Sequence, residues 1–548
     1  MKTICSPTRR SAVAVLVVSS VLLAGCAGSG GQHDTAPRTL QTMTPEAGGA
    51  IDTLRWALPE GEPTSVDPAK VGDYSPAAVA TNVCEGLAAF DADFNLRPNL
   101  AKTITKPDPT TYVFDLQPNV RFSNGDPMTT DDVVYSLKRN MDPEVGSFWS
   151  SYYQSVSSID VTGPNQVTVR LSRPDLLFES AMATLAGAVS QRKFVEQAGN
   201  RYGAPTGGVM CTGPFTMQSW KPGESITLKR NETYWNREHA AKAATVDFRI
   251  VTEPSTLTSA LQAGEIDGAY ELPVSTRSAL ANSATGSVYD GPSTQMIELI
   301  PTEKAGPMSN VAVRTALDLA IDKKALSQSV YGGAAEPLKS FIPPFMWGSG
   351  PARAIYQQAY DKLPDTTEAN IEEAKKLVDS AGLTDRAFTA AVGSGDEAGL
   401  RTLTFVQSAA KEIGLDMKIK QVQPTENSEM FYDESARAAV DLLYAKGYAE
   451  MASPLAYAPE FAGEGGLFNW TGYSDPKVQD LLQQARQTDD PHKSAQLFTE
   501  AQALFVPQRL AIPLVSPNES LFLKNTISGA PASFAYIDMP WAAMIGAK

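Results

Sequence analysis

Few side chains in this chain could do chemistry. Four cysteines, three histidines and 61 acidic residues are spread over 548 positions. Cys26 closes the run Leu23-Ala24-Gly25-Cys26. Cleavage before it frees a thiol for diacylglycerol attachment, the pattern of a bacterial lipoprotein signal. Cys5 leaves with the leader, so Cys84 and Cys211 remain, as a disulfide or as two separate buried thiols. An oxidising compartment favours the disulfide. His33, His239 and His492 sit in no H-E-x-x-H arrangement and no C-x-x-C accompanies them, so no metal site is expected. A G-x-S-x-G elbow, a Walker A sequence and a G-x-G-x-x-G turn are all absent. Asp91-Ala92-Asp93-Phe94-Asn95 opens like a calcium loop, but Leu96 and Lys102 stand where glycine and glutamate are required. No cofactor is expected. A lipid-anchored hydrolase working through paired carboxylates stays as an alternative, although nothing selects a pair.

What remains is recognition. Aromatic residues lie beside glycine and acidic residues at Tyr444 to Glu450, Phe468 to Tyr473 (with Trp470 at its centre) and Phe345 to Trp347. Rigid aromatic faces with a few polar groups suit a ligand cleft. Ordinary core packing is the competing explanation for each ring.

The leader states where this recognition happens. Lys2, Arg9 and Arg10 precede an apolar run from Ala12 to Ala24, which is too short to span hydrocarbon. The protein is therefore expected outside the cytoplasm, lipid-anchored to the cell membrane. Removing residues 1–25 leaves 523 residues, enough for two or three lobes. It also removes three basic side chains and no acidic ones, taking the formal charge from −15 to −18. That charge speaks against nucleic acid as a partner and against broad adsorption to anionic lipid.

The elements that must position a cleft can be read in outline. Residues 26–50, rich in glycine, serine, threonine and proline, predict a flexible tether, with structure starting near Ile51. Tyr112, Phe114 and Leu116 alternate as one strand face, and Asn124-Gly125 marks a turn. Thr130 or Asp131 caps a predicted helix to Arg139. Val161, Val167, Val169 and Leu171 flank a hairpin turn at Gly163-Pro164-Asn165. A helix from Ser255 to Ala263 should stop at Gly264. Beyond Pro307 the period becomes 3.6: Val313, Ala316, Leu317, Ala320 and Ile321 form one stripe, and Val478, Leu481, Leu482 and Ala485 another behind Asp475-Pro476. A short strand is expected over Val440 to Tyr444. The pattern is α/β without internal repeats.

Several blocks, in order, then resemble the extracytoplasmic solute-binding proteins of peptide and nickel ABC importers. They are Cys84-Glu85-Gly86-Leu87 with Arg97-Pro98-Asn99-Leu100-Ala101, Tyr112 to Leu116 running into Val120 to Pro127, Thr130 to Ser136, Thr212-Gly213-Pro214-Phe215, Leu228 to Asn231 with Tyr234-Trp235, Gly264-Glu265-Ile266-Asp267, and Val313 to Leu317 with Ala320-Ile321-Asp322. The resemblance covers nearly the whole mature chain. It implies a bilobal periplasmic-binding-protein-like clamp (type II, cluster C-like) with an additional inserted domain. Domain I would comprise 51–85, 212–298 and 510–548, domain II 86–211, and domain III 299–509. Cys84 and Cys211 then fall at the two crossings between domains I and II, where a disulfide would staple the insertion.

The function implied is capture of short peptides, as a monomer, and delivery to an ABC permease in the membrane. A nonpeptide organic solute (oligosaccharide, opine or haem-like ligand) is the alternative, and the scarcity of histidine disfavours nickel. Glu85-Gly86-Leu87 resembles one backbone rail for an extended peptide, and Tyr444-Ala445-Lys446-Gly447-Tyr448 the other, with Trp470 nearby. Peptide-binding relatives often place an aspartate three residues after an aromatic to grip the ligand's ammonium. Here the stretch Tyr448-Ala449-Glu450-Met451-Ala452-Ser453-Pro454 lacks it, and Glu450 is the substitute expected from a shifted position.

Overall fold

The computed structural model describes residues 39–548. The export signal, Cys26, His33 and the first part of the predicted tether lie outside the described residues.

Strand alternation appears where it was expected. In Thr111–Leu116 every second side chain is buried, namely Tyr112, Phe114 and Leu116. This strand is second in an antiparallel four-stranded sheet ordered Ala101–Asp108, Thr111–Leu116, Gln166–Leu171, Val156–Gly163. The helix Thr130–Arg139 follows, but its cap is Thr129, one residue earlier than expected. Thr129 and Asp132 each bond the other's backbone amide, because a hydroxyl and a carboxylate three residues apart can both reach back.

Two larger sheets form the rest. One has seven strands, ordered Gly286–Gly291, Glu519–Lys524, Gly268–Ala269, Ile51–Leu58, Ala243–Ile250, Ser225–Arg230, Phe215–Lys221. The other has six, ordered Ala335–Pro337, Ile512–Pro517, Gln295–Pro301, Leu442–Tyr448, Ala387–Gly393, Asp416–Val422. The chain passes between them twice, through Pro292, Ser293 and Thr294 and through Asn518. The crossings are three residues and one residue long.

The helices Val311–Ala320, Lys323–Tyr331, Ile371–Ser380 and Glu397–Glu412 cover the six-stranded sheet, burying Val313, Ala316, Leu317, Leu326, Val378, Leu403 and Val406. Pro476–Gln487 starts at the Asp475 cap, as its Asp-Pro pair requires, and Pro254–Ala263 ends at Gly264 with φ +72°. Among the described residues no helix is long and apolar enough to cross a membrane.

One expectation needs correction. The tether expected over 26–50 is folded at its end. Gln41 donates to the Asp290 carbonyl, Thr44 to Ala530 and Gly48 to Ala547, and Thr44 and Ala47 are buried. Composition signalled flexibility there, but the C-terminal segment supplies partners from roughly five hundred residues away.

Candidate functional site: an acidic, aromatic seam between the two large sheets

The strand Leu442–Tyr448 is longer than expected and unevenly paired. Along its whole length it pairs antiparallel with Gln295–Pro301. On its other side, parallel pairing with Ala387–Gly393 covers only Leu442 and Leu443. From Tyr444 to Tyr448 that second side carries no strand. Gly447 must be small here: a Cβ would lie 2.2 Å from the Tyr457 hydroxyl and 2.9 Å from Met296 Sδ. Tyr457 in turn donates at 2.6 Å to Glu298, whose full burial pushes its carboxyl up to about 8.

Past this strand the chain is held by Thr294, which donates to the Ala449 carbonyl at 2.7 Å. Tyr448 packs between Tyr74 and Phe534, at 4.9 and 5.3 Å between ring centroids. Tyr448 and Glu450 share a void with Gly72, Asp73, Trp149 and Asp538. About 10 Å³ of it is open to water, the room of about one water molecule. Burial pushes the Glu450 carboxyl up to about 7 against a 3.3 Å bond from the Tyr152 hydroxyl. Burial and the neighbouring Glu450 raise Asp538 well above the carboxylate range. Burial also raises Asp73, although Asp73 accepts from the Tyr74 amide at 2.8 Å.

A second void beside it is lined by Trp56, Glu60, Tyr74, Tyr270, Glu271 and Tyr536. Lys446, on the same unevenly paired strand, points this way. Its Nζ lies 2.8 Å from Glu60, 2.7 Å from Glu271 and 4.5 Å from the centre of the Tyr74 ring. Glu271 also accepts from Gln295 at 2.6 Å. Burial opposes charge on Glu271, yet Lys446 and these bonds hold its carboxyl below the usual range. Glu519, fully buried beside it, is pushed well up by burial and by the charge of Glu271.

Other expected site residues are placed elsewhere. Glu85 accepts from the Tyr234 hydroxyl at 2.7 Å, Thr212 Oγ1 at 2.8 Å and Trp235 Nε1 at 3.0 Å. The Gly86 carbonyl accepts from Asn99 Nδ2, and a Cβ there would lie 2.5 Å from the Met182 carbonyl oxygen. The Leu87 amide donates to Gly187, and its carbonyl accepts from Ala101. The segment Glu85-Gly86-Leu87 thus has these groups bonded internally. It is a buried junction beside the Cys84–Cys211 disulfide, which is formed. The Tyr444 side chain is buried in the core of the six-stranded sheet. Trp470 is buried under the Arg437 guanidinium, 4.3 Å from its ring centre, and donates to Leu467. Neither side chain lines the voids at the seam.

Sequence reasoning misses Asp73, Trp149 and Asp538, and it names Lys446 only as part of the rail Tyr444 to Tyr448, not for its ammonium. Asp538 alone left a local signal, an acid inside the apolar run Phe534-Ala535-Tyr536-Ile537-Asp538-Met539.

The model of the middle region of the family 5 bacterial extracellular solute-binding proteins matches residues 95–469. The chain belongs to this family. The glutathione-binding protein GsiB of Salmonella typhi is 26% identical over 462 residues, covering 82% of this chain and 86% of that protein. The oligopeptide-binding protein OppA of Bacillus subtilis is 25% identical over 548 residues, covering 92% and 94%. Among solved structures, the Bacillus subtilis oligopeptide-binding protein AppA, in complex with a nonapeptide, superposes with a TM-score of 0.78 at 20% identity, covering 92% of this chain and all of that one. The fold is thus the mixed α/β periplasmic-binding-protein fold of family 5. These relatives are binding proteins rather than enzymes, and the family is extracytoplasmic.

Proposed function

We propose that this protein captures short peptides outside the cytoplasm and hands them, unaltered, to an ABC import permease. The observation that carries this reading is the strand Leu442–Tyr448, with one unpaired side from Tyr444 onward, leading to the carboxylate of Glu450. An extended peptide can add to such an edge through main-chain bonds, which are indifferent to side chains. Its ammonium would meet Glu450 in a charge-assisted pair, stronger than a neutral bond. Peptide-binding relatives in the same family support the reading.

In this proposal the protein works as a monomer. Domain I (51–85, 212–298, 510–548) carries the inserted domain II (86–211) and moves against domain III (299–509) about the crossings at Pro292 to Thr294 and at Asn518, so that residues 295–298 and 512–517 of domain I, which pair in the six-stranded sheet, ride with domain III. Ligand shifts that hinge equilibrium toward closure, and the permease reads the closed form. The acylated thiol of Cys26 keeps the protein at the membrane; two or more acyl chains suffice for stable anchoring.

Native mass spectrometry of protein purified without denaturation tests the ligand class. A heterogeneous set of short peptides is expected. A single nonpeptide species, or conversion of the bound compound, overturns the proposal. Cys26→Ser should release the protein from membranes, and unchanged membrane retention overturns the anchor.

A further inference from the structure

Three carboxylates enter the void beside Tyr448 from three separate stretches of chain: Asp73, Glu450 and Asp538. They are not equally served. Asp73 accepts from the Tyr74 amide at the start of the helix Tyr74–Ala80. Glu450 accepts one bond from Tyr152. Asp538 is 9% exposed, and its Oδ2 has no hydrogen-bond partner. No lysine or arginine is among the residues lining this void. The nearby cations are engaged elsewhere, Lys446 by Glu60 and Glu271, and Arg486 by Asp175.

A buried carboxylate with neither donor nor counter-ion is costly, and two that share a void repel each other. Trp149 and Tyr448 supply the aromatic part of the wall, and aromatic side chains can attract cations through their ring faces. Among the described residues no three His, Cys, Asp or Glu side chains converge tightly enough to hold a metal ion.

We infer that this void receives two positive charges from one ligand, and that Asp538 selects the second of them. The preferred ligand is a peptide whose first residue is lysine or arginine, with its ammonium on Glu450 and its side-chain cation on Asp538. This inference rests on the peptide reading above. The void has room for about one water molecule, so the ligand end enters only when the walls at Trp149 and Tyr448 stand further apart than here, and the site that takes both charges is wider than this one. The strongly negative chain draws such ligands in.

Calorimetry on the full mature chain in detergent, with Ala-Ala-Ala, Lys-Ala-Ala and 1,5-diaminopentane, tests it against Asp538→Asn. Lys-Ala-Ala should bind at least about tenfold more tightly than Ala-Ala-Ala, equivalent to about 1.4 kcal/mol. Asp538→Asn should erase that advantage, so that the two peptides bind the variant within about twofold of each other. Equal affinities in the wild type, or an equal loss for both peptides in the variant, overturn the inference while the peptide reading stands. If neither peptide binds, the peptide reading fails and the diamine decides. Diamine binding that Asp538→Asn abolishes retains the paired-charge site; no diamine binding overturns it.

Discussion

Arg486 grips Asp175 through two parallel hydrogen bonds, Nε to Oδ1 and Nη2 to Oδ2, both 2.8 Å. Asp175 follows the last strand of the four-stranded sheet, and Arg486 ends the helix Pro476–Gln487, 311 residues later. The Leu176 amide also donates to the Arg486 carbonyl, so the contact is a clasp rather than a lone ion pair. A guanidinium matches a carboxylate with two aligned donors, which an ammonium cannot do. Arg486→Met leaves Asp175 buried without its counter-ion, and urea unfolding should register a loss of about 2 kcal/mol or more. Arg486→Lys should recover only part of that loss. Equal stability of all three proteins would show that the clasp contributes nothing.

Lys446 is the only cation bonded to Glu60 and Glu271 among the described residues. Replacing it by methionine leaves Glu271 buried beside Glu519. We expect a loss of about 3–5 kcal/mol, the usual cost of removing one partner from a buried pair. Adding Glu271→Gln to Lys446→Met should restore part of it, because the stranded charge is gone. A double-mutant cycle measured by denaturant unfolding checks this coupling, and strictly additive effects would contradict it.

Glu298 ties stability to pH. An unfolded glutamate loses its proton near 4.5, whereas the buried Glu298 keeps it up to about 8. Between those values the folded state binds more protons than the unfolded state, so stability falls as pH rises, by about 1.4 kcal/mol per pH unit for such a group. Glu450, raised to about 7, adds to the slope below that pH. Glu298→Gln keeps a polar partner for Tyr457 and should flatten the decline between pH 5 and pH 8 in thermal scans, about the span of the two proton affinities. A variant with the wild-type slope would assign the dependence to other groups.

The Cys84–Cys211 disulfide closes a long loop, its ends 127 positions apart in sequence. Alkylation before reduction should leave both thiols unlabelled. Cys84→Ala with Cys211→Ala should lower stability by about 2–5 kcal/mol in chemical denaturation.

Glu85 distinguishes a buried junction from a ligand rail. Glu85→Ala strands the donors of Tyr234, Thr212 and Trp235. Stability should fall by about 2 kcal/mol or more, while the ranking of ligands by affinity stays unchanged. Reordered ligand preference at unchanged stability would return Glu85 to the binding site.

The sequence alone determined what is local. Alternation at Tyr112, Phe114 and Leu116, the Asp475-Pro476 helix start and the stop at Gly264 are settled within a few residues by backbone geometry and side-chain period, and the structure follows them. The ordered blocks determined the family in the same way, because each block is a short local pattern. Tertiary structure decided which polar groups meet. Glu85 finds Tyr234 and Trp235 about 150 residues onward, Glu450 shares its void with Asp73 and Asp538, and Trp470 lies under Arg437 rather than in the seam. No periodicity carries such meetings. A carboxylate's partners depend on strand register and on where the chain crosses between sheets, and burial, which sets its charge, exists only once those distant segments have packed.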